Sequence, residues 1–363
     1  MDTTKIKIAI ITQSLANGGV ERFSAVLSKM LTNLGFQIHI ISVLDEIEYE
    51  FDGELLNLGL LKKQDDSNFG RFKRMLVLKK YIRQHQFDWI IDTRIRTSSW
   101  SEWILSRFIF HPKKSMYLVH SFKTEKYFPK NSFIAKKIYK KSPYIITVSK
   151  EIEAEVRKKY GYQNTLTIYN PIDRIGIENS ALEISISDKF ILAYGRIDDS
   201  IKNFSLLIES YAQSNLPKNN IALYIIGDGK DVDILKEKVV ELELTDFILF
   251  KPKMTNPFPY VKSALFTTLT SRNEGFPMVI IESLALGTPV VSVDCQSGPK
   301  EIIQNEYNGL LVENHNIEAL TNAMNRIILD QEMYENMKSN AANSIRNLSI
   351  EKIQTEWLKI LTV

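Results

Sequence analysis

The chain of 363 residues is too long for one ordinary hydrophobic core, and its 44% hydrophobic and 25% charged residues are typical of a soluble globular protein. Its single cysteine, Cys295, excludes a disulfide framework and a cysteine-based zinc site, so the cytoplasm is the default compartment. The net charge of +3 hides an asymmetry: residues 1–165 hold 28 basic and 17 acidic residues, and the remainder holds 18 and 26. The first half therefore suits an anionic surface or partner, or simply carries a solvated lysine-rich face.

The first third of the chain is predicted to alternate strands and helices. The run KIKIAIIT is typical of a strand buried on both faces, and it is too short to span a membrane and lacks signal-peptide flanks. The segment VERFSAVLSKMLTNLG has apolar residues at helical spacing and ends at Gly35, and the strand FQIHIISV follows. This βαβ pattern predicts a parallel sheet, with further strands at FDWIIDT, SMYLVH and YIITVS.

The alternation loosens between Gly161 and Asp188 and then restarts. Strands are predicted at KFILAYG, IALYIIGDG, FILFK, ALFTTLT and TPVVSVD, with helices between them and a mostly helical tail. We therefore predict an α/β protein of two doubly wound, Rossmann-like domains, residues 1–170 and 171–345. Residues 346–363 are expected to form a helix that packs back on the first domain. Ligands of such sheets bind beyond the carboxyl ends of the strands.

Two loops at predicted strand ends suit an anionic ligand. Gly18 and Gly19 precede the first helix and allow close approach of the backbone to a ligand, although a tight turn without a ligand is an equal alternative. They do not form the G-x-G-x-x-G dinucleotide pattern. In GRIDDSIKN, Arg196 and Lys202 are two cations that suit a diphosphate, or that pair with neighbouring acids at the surface.

A third loop, in SRNEGFPMVIIESLALGTPVV, places two glutamates around a helix start. Pro277 suits the first turn of a helix, Glu274 precedes that turn, and Glu282 lies about one and a half turns inside. A capping acid and an exposed helix residue would be the structural alternative, but burial of an unpartnered Glu282 carboxylate would be costly. Backbone amides at the helix start face a docked ligand, near Gly275, Phe276 and Met278.

The ordered motifs resemble those of retaining glycosyltransferases of glycosyltransferase family 4, which have the GT-B fold. EGFPMVIIE is similar to the paired-glutamate motif of the family, and ANGGVER to its glycine turn. VHS places His120 where family members carry an active-site histidine. GR…K, GDG, SGPKEII and NGLLV follow in the family's order, so the resemblance covers nearly the whole chain.

The resemblance implies a nucleotide-activated sugar as donor, most simply a UDP-sugar, in a cleft between the domains. Arg196 and Lys202 would bind the diphosphate, and Gly18 and Gly19 would close over it. Glu274 would contact the sugar hydroxyls, and Glu282 would accept hydrogen bonds from the ribose. Amides around Gly275, Phe276, Pro277 and Met278 would face the sugar and phosphate, and His120 the reacting carbon. Glu274, His120, Arg196 and Lys202 are the residues implied to be catalytic.

One departure concerns the loop between Arg196 and Lys202, which holds five residues where close relatives often have four. The extra residue is expected to bulge the loop at the lysine. The implied chemistry retains the anomeric configuration, and cations and amides stabilise the leaving diphosphate.

No cofactor and no essential metal are expected. The acids of DVD, Asp231 to Asp233, are interpreted as residues of a helix start, although they superficially match a metal-binding D-x-D pattern. No group of His, Cys, Asp and Glu has the spacing of metal ligands.

Two basic segments with apolar residues predict a membrane contact. FPKNSFIAKKIYKKSPY and GRFKRMLVLKKYIR suit an anionic bilayer, so we expect a peripheral protein on the cytoplasmic face that takes a glycan or lipid-linked acceptor, such as a polyprenyl diphosphate sugar. Arg94 and Arg96 in DTRIRTSSW follow a strand and would meet the acceptor phosphate, or pair with surface acids. No nucleic-acid-binding motif accompanies these cations.

Two alternative functions fit the same motifs less well. A nucleotide-sugar epimerase of this fold has no use for basic apolar segments. A non-catalytic sugar-nucleotide-binding subunit has no need for the full set of implied catalytic residues. The leading hypothesis is therefore a metal-independent hexosyl- or N-acetylhexosaminyltransferase in bacterial polysaccharide, lipopolysaccharide or glycolipid assembly.

Overall fold

Each half of the chain forms its own parallel sheet with helices packed on it, which confirms the predicted α/β fold class. The computed structural model describes residues 6–16, 18–182 and 186–362. One unit comprises Met1–Pro171 with Ile350–Val363, and the other Ile172–Ser349. No helix in the described part of the chain is both long and apolar enough to cross a bilayer.

The sheet of the first unit has seven strands in the order β3-β2-β1-β4-β5-β6-β7. The strands are β1 Lys7–Thr12, β2 Gln37–Ser42, β3 Glu54–Asn57, β4 Trp89–Asp92, β5 Ser115–Val119, β6 Ile145–Thr147 and β7 Thr165–Thr167. The helices are α1 Gly19–Asn33, α2 Leu58–Gln64, α3 Asn68–His85, α4 Ser99–Ile104, α5 Ser132–Tyr139 and α6 Lys150–Tyr160. A π-helical turn, Leu105–Ile109, continues α4. The short strands β3 (ELLN) and β7 (TLT) were not predicted, because neither lies in a continuous apolar run.

The sheet of the second unit has six strands in the order β10-β9-β8-β11-β12-β13. The strands are β8 Phe190–Tyr194, β9 Ala222–Ile226, β10 Ile248–Lys251, β11 Thr267–Leu269, β12 Val290–Asp294 and β13 Gly309–Glu313. The helices are α7 Arg174–Ser180, α8 Asp199–Lys202, α9 Phe204–Gln213, α10 Val232–Glu241, α11 Phe258–Ser263, α12 Met278–Ala285, α13 Pro299–Ile302, α14 Ile317–Leu329 and α15 Gln331–Ser344. Their strand-facing residues form a largely aliphatic core.

The last helix, α16 Ile350–Leu361, belongs to the first unit. Trp357 is fully buried in the core that also holds the apolar residues of β1 and α1. The indole N–H of Trp89 donates a 2.9 Å hydrogen bond to the carbonyl of Leu361. The apolar face of α16 therefore packs into the core of the first unit.

Candidate active site

The loops after β8 and β9 are packed backbone against backbone. Gly227 lies so close to Gly195 that a Cβ atom on it would stand 1.9 Å from the Gly195 carbonyl oxygen. The Gly195 N–H in turn donates to the Ile226 carbonyl at 2.9 Å. Arg196 follows directly and is exposed, its carbonyl accepts from the Asp198 N–H at 3.1 Å, and its positive charge helps to lower the pKa of the Asp198 carboxyl. The contact between the two glycines thus fixes the backbone from which the exposed Arg196 side chain projects.

Lys202 and Glu274 form an ion pair in the second unit. The Lys202 Nζ lies 2.6 Å from the Glu274 Oε1, and the Ser271 hydroxyl donates to the same oxygen at 2.6 Å. The hydroxyl of Thr270 donates to the Lys202 carbonyl at 3.0 Å and ties the loop after β11 to α8. Lys202 is the last residue of the short helix α8, from which its ammonium group reaches Glu274.

Glu282 lies inside α12 and is only 3% exposed. The Tyr194 hydroxyl donates to the Glu282 Oε2 at 2.8 Å and lies 3.2 Å from the Val279 carbonyl. The alternative in which Glu282 is an exposed helix residue is therefore wrong, and the buried carboxylate has the partner that its burial requires. Tyr194 was not among the predicted site residues, because a tyrosine at a strand end carries no signal of a partner 88 residues away.

The start of α12 is held by the loop after β12. The helix begins at Met278, one residue after Pro277. Gly298 has a φ of 104°, and a Cβ atom on it would stand 2.4 Å from the Pro277 Cδ. The Ser297 hydroxyl donates to the Gly275 carbonyl at 2.8 Å. Backbone contacts thus fix the helix start, with Gly275, Phe276 and Pro277 buried and Met278 partly exposed.

Cys295 is buried near the ion pair of Lys202 and Glu274. Burial and the nearby Glu274 carboxylate raise the pKa of the Cys295 thiol well above its ordinary value. The thiol is therefore protonated at neutral pH and has no nucleophilic role.

In the first unit, the predicted residues Gly18 and Gly19 follow β1 and His120 follows β5, at the carboxyl ends of two strands that are separated in the sheet by β4. Gly18 has extended backbone and precedes α1, and Gly19 begins that helix. The His120 ring packs edge-on against Phe23 of α1 with centroids 4.8 Å apart. Burial, with a further contribution from Arg96, lowers the pKa of His120 to about 3, so its ring is neutral. Its buried Nε2 has no hydrogen-bond partner among the residues described.

Arg96 is buried rather than exposed after its strand, which contradicts the prediction that it meets an acceptor phosphate or pairs with surface acids. The residue is 2% exposed, and each guanidinium nitrogen donates to a backbone carbonyl, with acceptors on Asp92, Arg94, Leu118 and Tyr127. Four aromatic rings surround the guanidinium at 5.2–5.8 Å, from Tyr117, Tyr127, Phe128 and Tyr139. Arg96 is a structural cation of the first unit.

Arg94 also binds a buried acid of the protein, although it was predicted to meet the phosphate of the acceptor or a surface acid. It binds both carboxylate oxygens of the buried Asp92, at 2.9 and 2.8 Å, and lies 3.4 Å from Glu102. This bidentate pair engages the Nε and Nη2 of the guanidinium. The sequence interpretation failed because a cation after a strand end has the same local pattern whether its partner is a ligand or a buried acid.

The acids of DVD lie at a helix start, as interpreted from the sequence. Asp231 precedes α10, Asp233 is in its first turn, and an Asp231 carboxylate oxygen accepts from the Asp199 N–H at 2.7 Å. Asp231 thereby links α10 to the loop that carries Arg196.

Two family models together match nearly the whole chain. The model described as Glycosyltransferase Family 4 matches residues 17–174, and the model described as Glycosyl transferases group 1 matches residues 178–344. The chain is a glycosyltransferase, matched by one of these two family models in each part. The matches divide the glycosyltransferase close to the boundary between its two units, and the motifs of the second unit fall within the second match.

Individual relatives cover the glycosyltransferase from end to end. An N-acetylgalactosamine-N,N'-diacetylbacillosaminyl-diphospho-undecaprenol 4-alpha-N-acetylgalactosaminyltransferase of Campylobacter jejuni is 29% identical over 98% of this chain and 99% of its own. The crystal structure of HepE of Anabaena with UDP-glucose matches with a TM-score of 0.79 and 18% identity, over 98% and 99% of the two chains. The crystal structure of TarM of S. aureus has a TM-score of 0.80 and 15% identity, over 99% of both chains. The fold is therefore GT-B.

Proposed function

We propose that the glycosyltransferase moves a sugar, with retention of anomeric configuration, from a nucleoside diphosphate sugar to a lipid-linked saccharide in the assembly of a bacterial surface glycan. The observation that carries the proposal is the grouping of Lys202, Glu274 and Glu282 around the start of α12. The solved relative with UDP-glucose and the relative named for a diphospho-undecaprenol acceptor support the two substrates.

The donor diphosphate would be bound by Arg196 and Lys202. Arg196 has a fork of donors for two phosphate oxygens, and its side chain is exposed. Lys202 supplies a point charge, which the Glu274 carboxylate holds in place in the free protein. Diphosphate is the leaving group, so these cations act on charge that develops during transfer.

The two glutamates would bind different parts of the donor. Glu274 is 14% exposed and would accept a hydrogen bond from a sugar hydroxyl while it remains near Lys202. Glu282 would accept hydrogen bonds from the vicinal ribose hydroxyls, with Tyr194 holding one of its oxygens. UDP is the proposed nucleotide, and the bound sugar would be a hexose or N-acetylhexosamine.

The proposed chemistry uses neither a resident metal nor a general acid at the leaving group. The leaving phosphate would accept the acceptor's proton on the same face from which it departs, which gives retention. The neutral His120 would form a hydrogen bond to the substrate near the reacting carbon, through the Nε2 that has no partner among the described residues. Gly18 and Gly19 would lie near the diphosphate at the start of α1.

The direct test is a transfer assay on the purified protein. UDP-sugars would be incubated with a polyprenyl diphosphate-linked saccharide in detergent and EDTA, and the lipid product analysed by mass and by the anomeric coupling constant. The expected result is a lipid extended by one hexose or N-acetylhexosamine, with an α-linkage from an α-linked donor. Conversion of the UDP-sugar to its epimer, or nucleotide binding without any product, would contradict the proposal.

The proposed membrane contact is a set of exposed aromatic residues on neighbouring elements of the first unit. Phe69 and Phe72 of α3, Trp100 of α4, Phe108 of the π-helical turn and Phe133 of α5 are 53–75% exposed. These elements pack against one another, and Arg71 of α3 donates to the Ser101 hydroxyl of α4 at 2.6 Å. We call these five aromatic residues the aromatic surface.

Exposed cations accompany the aromatic surface. They are Arg71, Lys73, Arg107, Lys130, Lys136 and Lys137. Aromatic side chains that insert at the lipid headgroups, with cations worth about 1 kcal/mol each near anionic lipid, suit a peripheral contact with the cytoplasmic leaflet. The aromatic surface would thus bring the glycosyltransferase to a lipid-linked acceptor.

Liposome sedimentation tests this contact. We expect the protein to sediment with vesicles containing 30% phosphatidylglycerol at low salt and much less at 0.5 M NaCl, because salt screens the cations. Replacing both Trp100 and Phe133 with Ser should lower the partition coefficient at least about tenfold, since each loses most of the burial energy of an aromatic ring. The matched control replaces Ile234 and Leu329, which are exposed on the second unit. Equal sedimentation of both double variants would refute the surface.

A further inference from the structure

Three side chains with metal-binding atoms meet in the first unit at a place that the transfer reaction does not use. His39 lies on β2, Glu54 begins the edge strand β3, and His85 ends α3. His39 and Glu54 are direct neighbours in the parallel pairing of the two strands. The cluster lies near the amino ends of the strands, whereas Gly18 and His120 follow the carboxyl ends.

The spacing of the three ligand atoms suits one small cation. One nitrogen of each histidine and one oxygen of Glu54 all lie within 4.8 Å of one another. The His39 Nδ1 and the Glu54 Oε2 are 3.5 Å apart. Two ligands at about 2.1 Å from a tetrahedral Zn²⁺ stand about 3.4 Å apart, so this pair already has the required separation. Rotation of the half-buried His85 ring would bring in the third ligand.

Aromatic packing holds both imidazoles at the cluster. The centroids of the His39 and His85 rings are 4.5 Å apart, and the His85 ring stacks on Phe87 at 5.7 Å. The Tyr81 hydroxyl lies 2.8 Å from the His39 Nδ1 and occupies that nitrogen in the absence of a cation. Two imidazoles and one carboxylate form a donor set preferred by Zn²⁺ and similar transition metals rather than by Mg²⁺ or Ca²⁺.

We propose that His39, Glu54 and His85 bind one Zn²⁺-type cation, which clamps the edge strand β3 and the end of α3 together. The cation would replace the Tyr81 hydroxyl as the partner of the His39 Nδ1, and a water molecule would complete the tetrahedron. In the part of the chain that the structure describes, β3 is an edge strand that pairs with β2, so a clamp at its first residue would stabilise this edge of the first unit. The site has a structural role and is independent of the proposed sugar transfer.

The test is calorimetric titration with ZnCl₂ on EDTA-treated protein that carries no polyhistidine tag. We expect one Zn²⁺ per chain and no binding of Mg²⁺. His85→Ala and Glu54→Gln should each weaken binding at least about tenfold, because each loses a ligand. His111→Ala is the matched control, since His111 is exposed in the same unit and lies outside the cluster. Tyr81→Phe should keep or increase the affinity.

A second measurement separates the site from adventitious binding. All four tryptophans, at positions 89, 100, 103 and 357, lie in the first unit, so their fluorescence reports its unfolding. Zn²⁺ should raise the melting temperature of the wild-type protein and of His111→Ala, but not that of His85→Ala. Absence of Zn²⁺ binding, or equal affinity in the wild type and His85→Ala, would overturn the proposal. Both cluster variants replace side chains that are not fully buried, so the result does not depend on replacing the buried His39.

Discussion

Replacing Glu274 with Ala is expected to lower kcat for sugar transfer by about 10²- to 10³-fold, the range found when one group that stabilises a transition state is removed. The affinity for UDP should stay the same or increase. In the wild type, the Glu274 Oε1 neutralises the ammonium group of Lys202 at 2.6 Å. Without the carboxylate, the full charge of Lys202 would be available to the diphosphate.

Glu282→Ala is expected to weaken UDP binding more than it lowers kcat, which is the opposite of Glu274→Ala. The affinity for UDP should fall about 10- to 150-fold, which corresponds to the 1.5–3 kcal/mol of hydrogen bonds to a charged group. The kcat at saturating donor should change less than in Glu274→Ala. Tyr194→Phe removes only the hydroxyl that donates to the buried carboxylate at 2.8 Å, and it should weaken UDP binding less than Glu282→Ala.

The measurements are UDP titration by calorimetry and initial transfer rates over a range of donor concentrations. Glu237→Ala, an exposed acid of α10 in the same unit, is the control and should match the wild type in both. A parallel fall of affinity and kcat in both glutamate variants would contradict the division of roles between sugar and ribose. If both variants kept the wild-type transfer rate, the donor site would not lie at the start of α12.

The location of the candidate site was largely predictable from the sequence, because its parts follow local rules. A buried apolar run ends before Gly195, and Pro277 marks the start of a helix, so both loops are recognisable as strand ends. In a parallel sheet all such ends lie at one edge. The ordered family motifs then supplied the ligand class, which neither periodicity nor composition contains.

The pairing of side chains within the site could not be predicted in the same way. Lys202 and Glu274 are 72 residues apart, and Tyr194 and Glu282 are 88 residues apart. Each contact depends on which strands are neighbours, and the order β8-β11-β12 is set by the whole sheet. The same reason explains why His39, Glu54 and His85 show no metal-ligand spacing in the sequence and yet meet in the fold.

Burial decided the outcome at Arg94 and Arg96. Both have the local pattern of cations exposed after a strand, yet a carboxylate and a ring of carbonyls enclose them. The acceptors of Arg96 on Leu118 and Tyr127 lie 22 and 31 residues further along the chain. Hydrophobicity patterns do not indicate that four aromatic rings will surround a guanidinium, because those rings come from three separate segments.

This buried arrangement predicts that Arg96→Met lowers the free energy of unfolding of the first unit by about 3–5 kcal/mol. Methionine fills much of the apolar volume between the rings, but it donates no hydrogen bond. The carbonyls of Asp92, Arg94, Leu118 and Tyr127 would each lose a buried partner. Urea unfolding followed by tryptophan fluorescence measures the loss, because the tryptophans all belong to the first unit.

Arg107→Met is the matched control for this experiment. Arg107 is exposed in the π-helical turn of the same unit, so its replacement should shift the unfolding free energy by no more than about 0.5 kcal/mol. If Arg96 served the acceptor instead, Arg96→Met would leave the urea midpoint unchanged and raise KM for the lipid-linked saccharide. A destabilised protein that keeps its KM for the acceptor would establish Arg96 as the cation around which the loops after β4 and β5 are built.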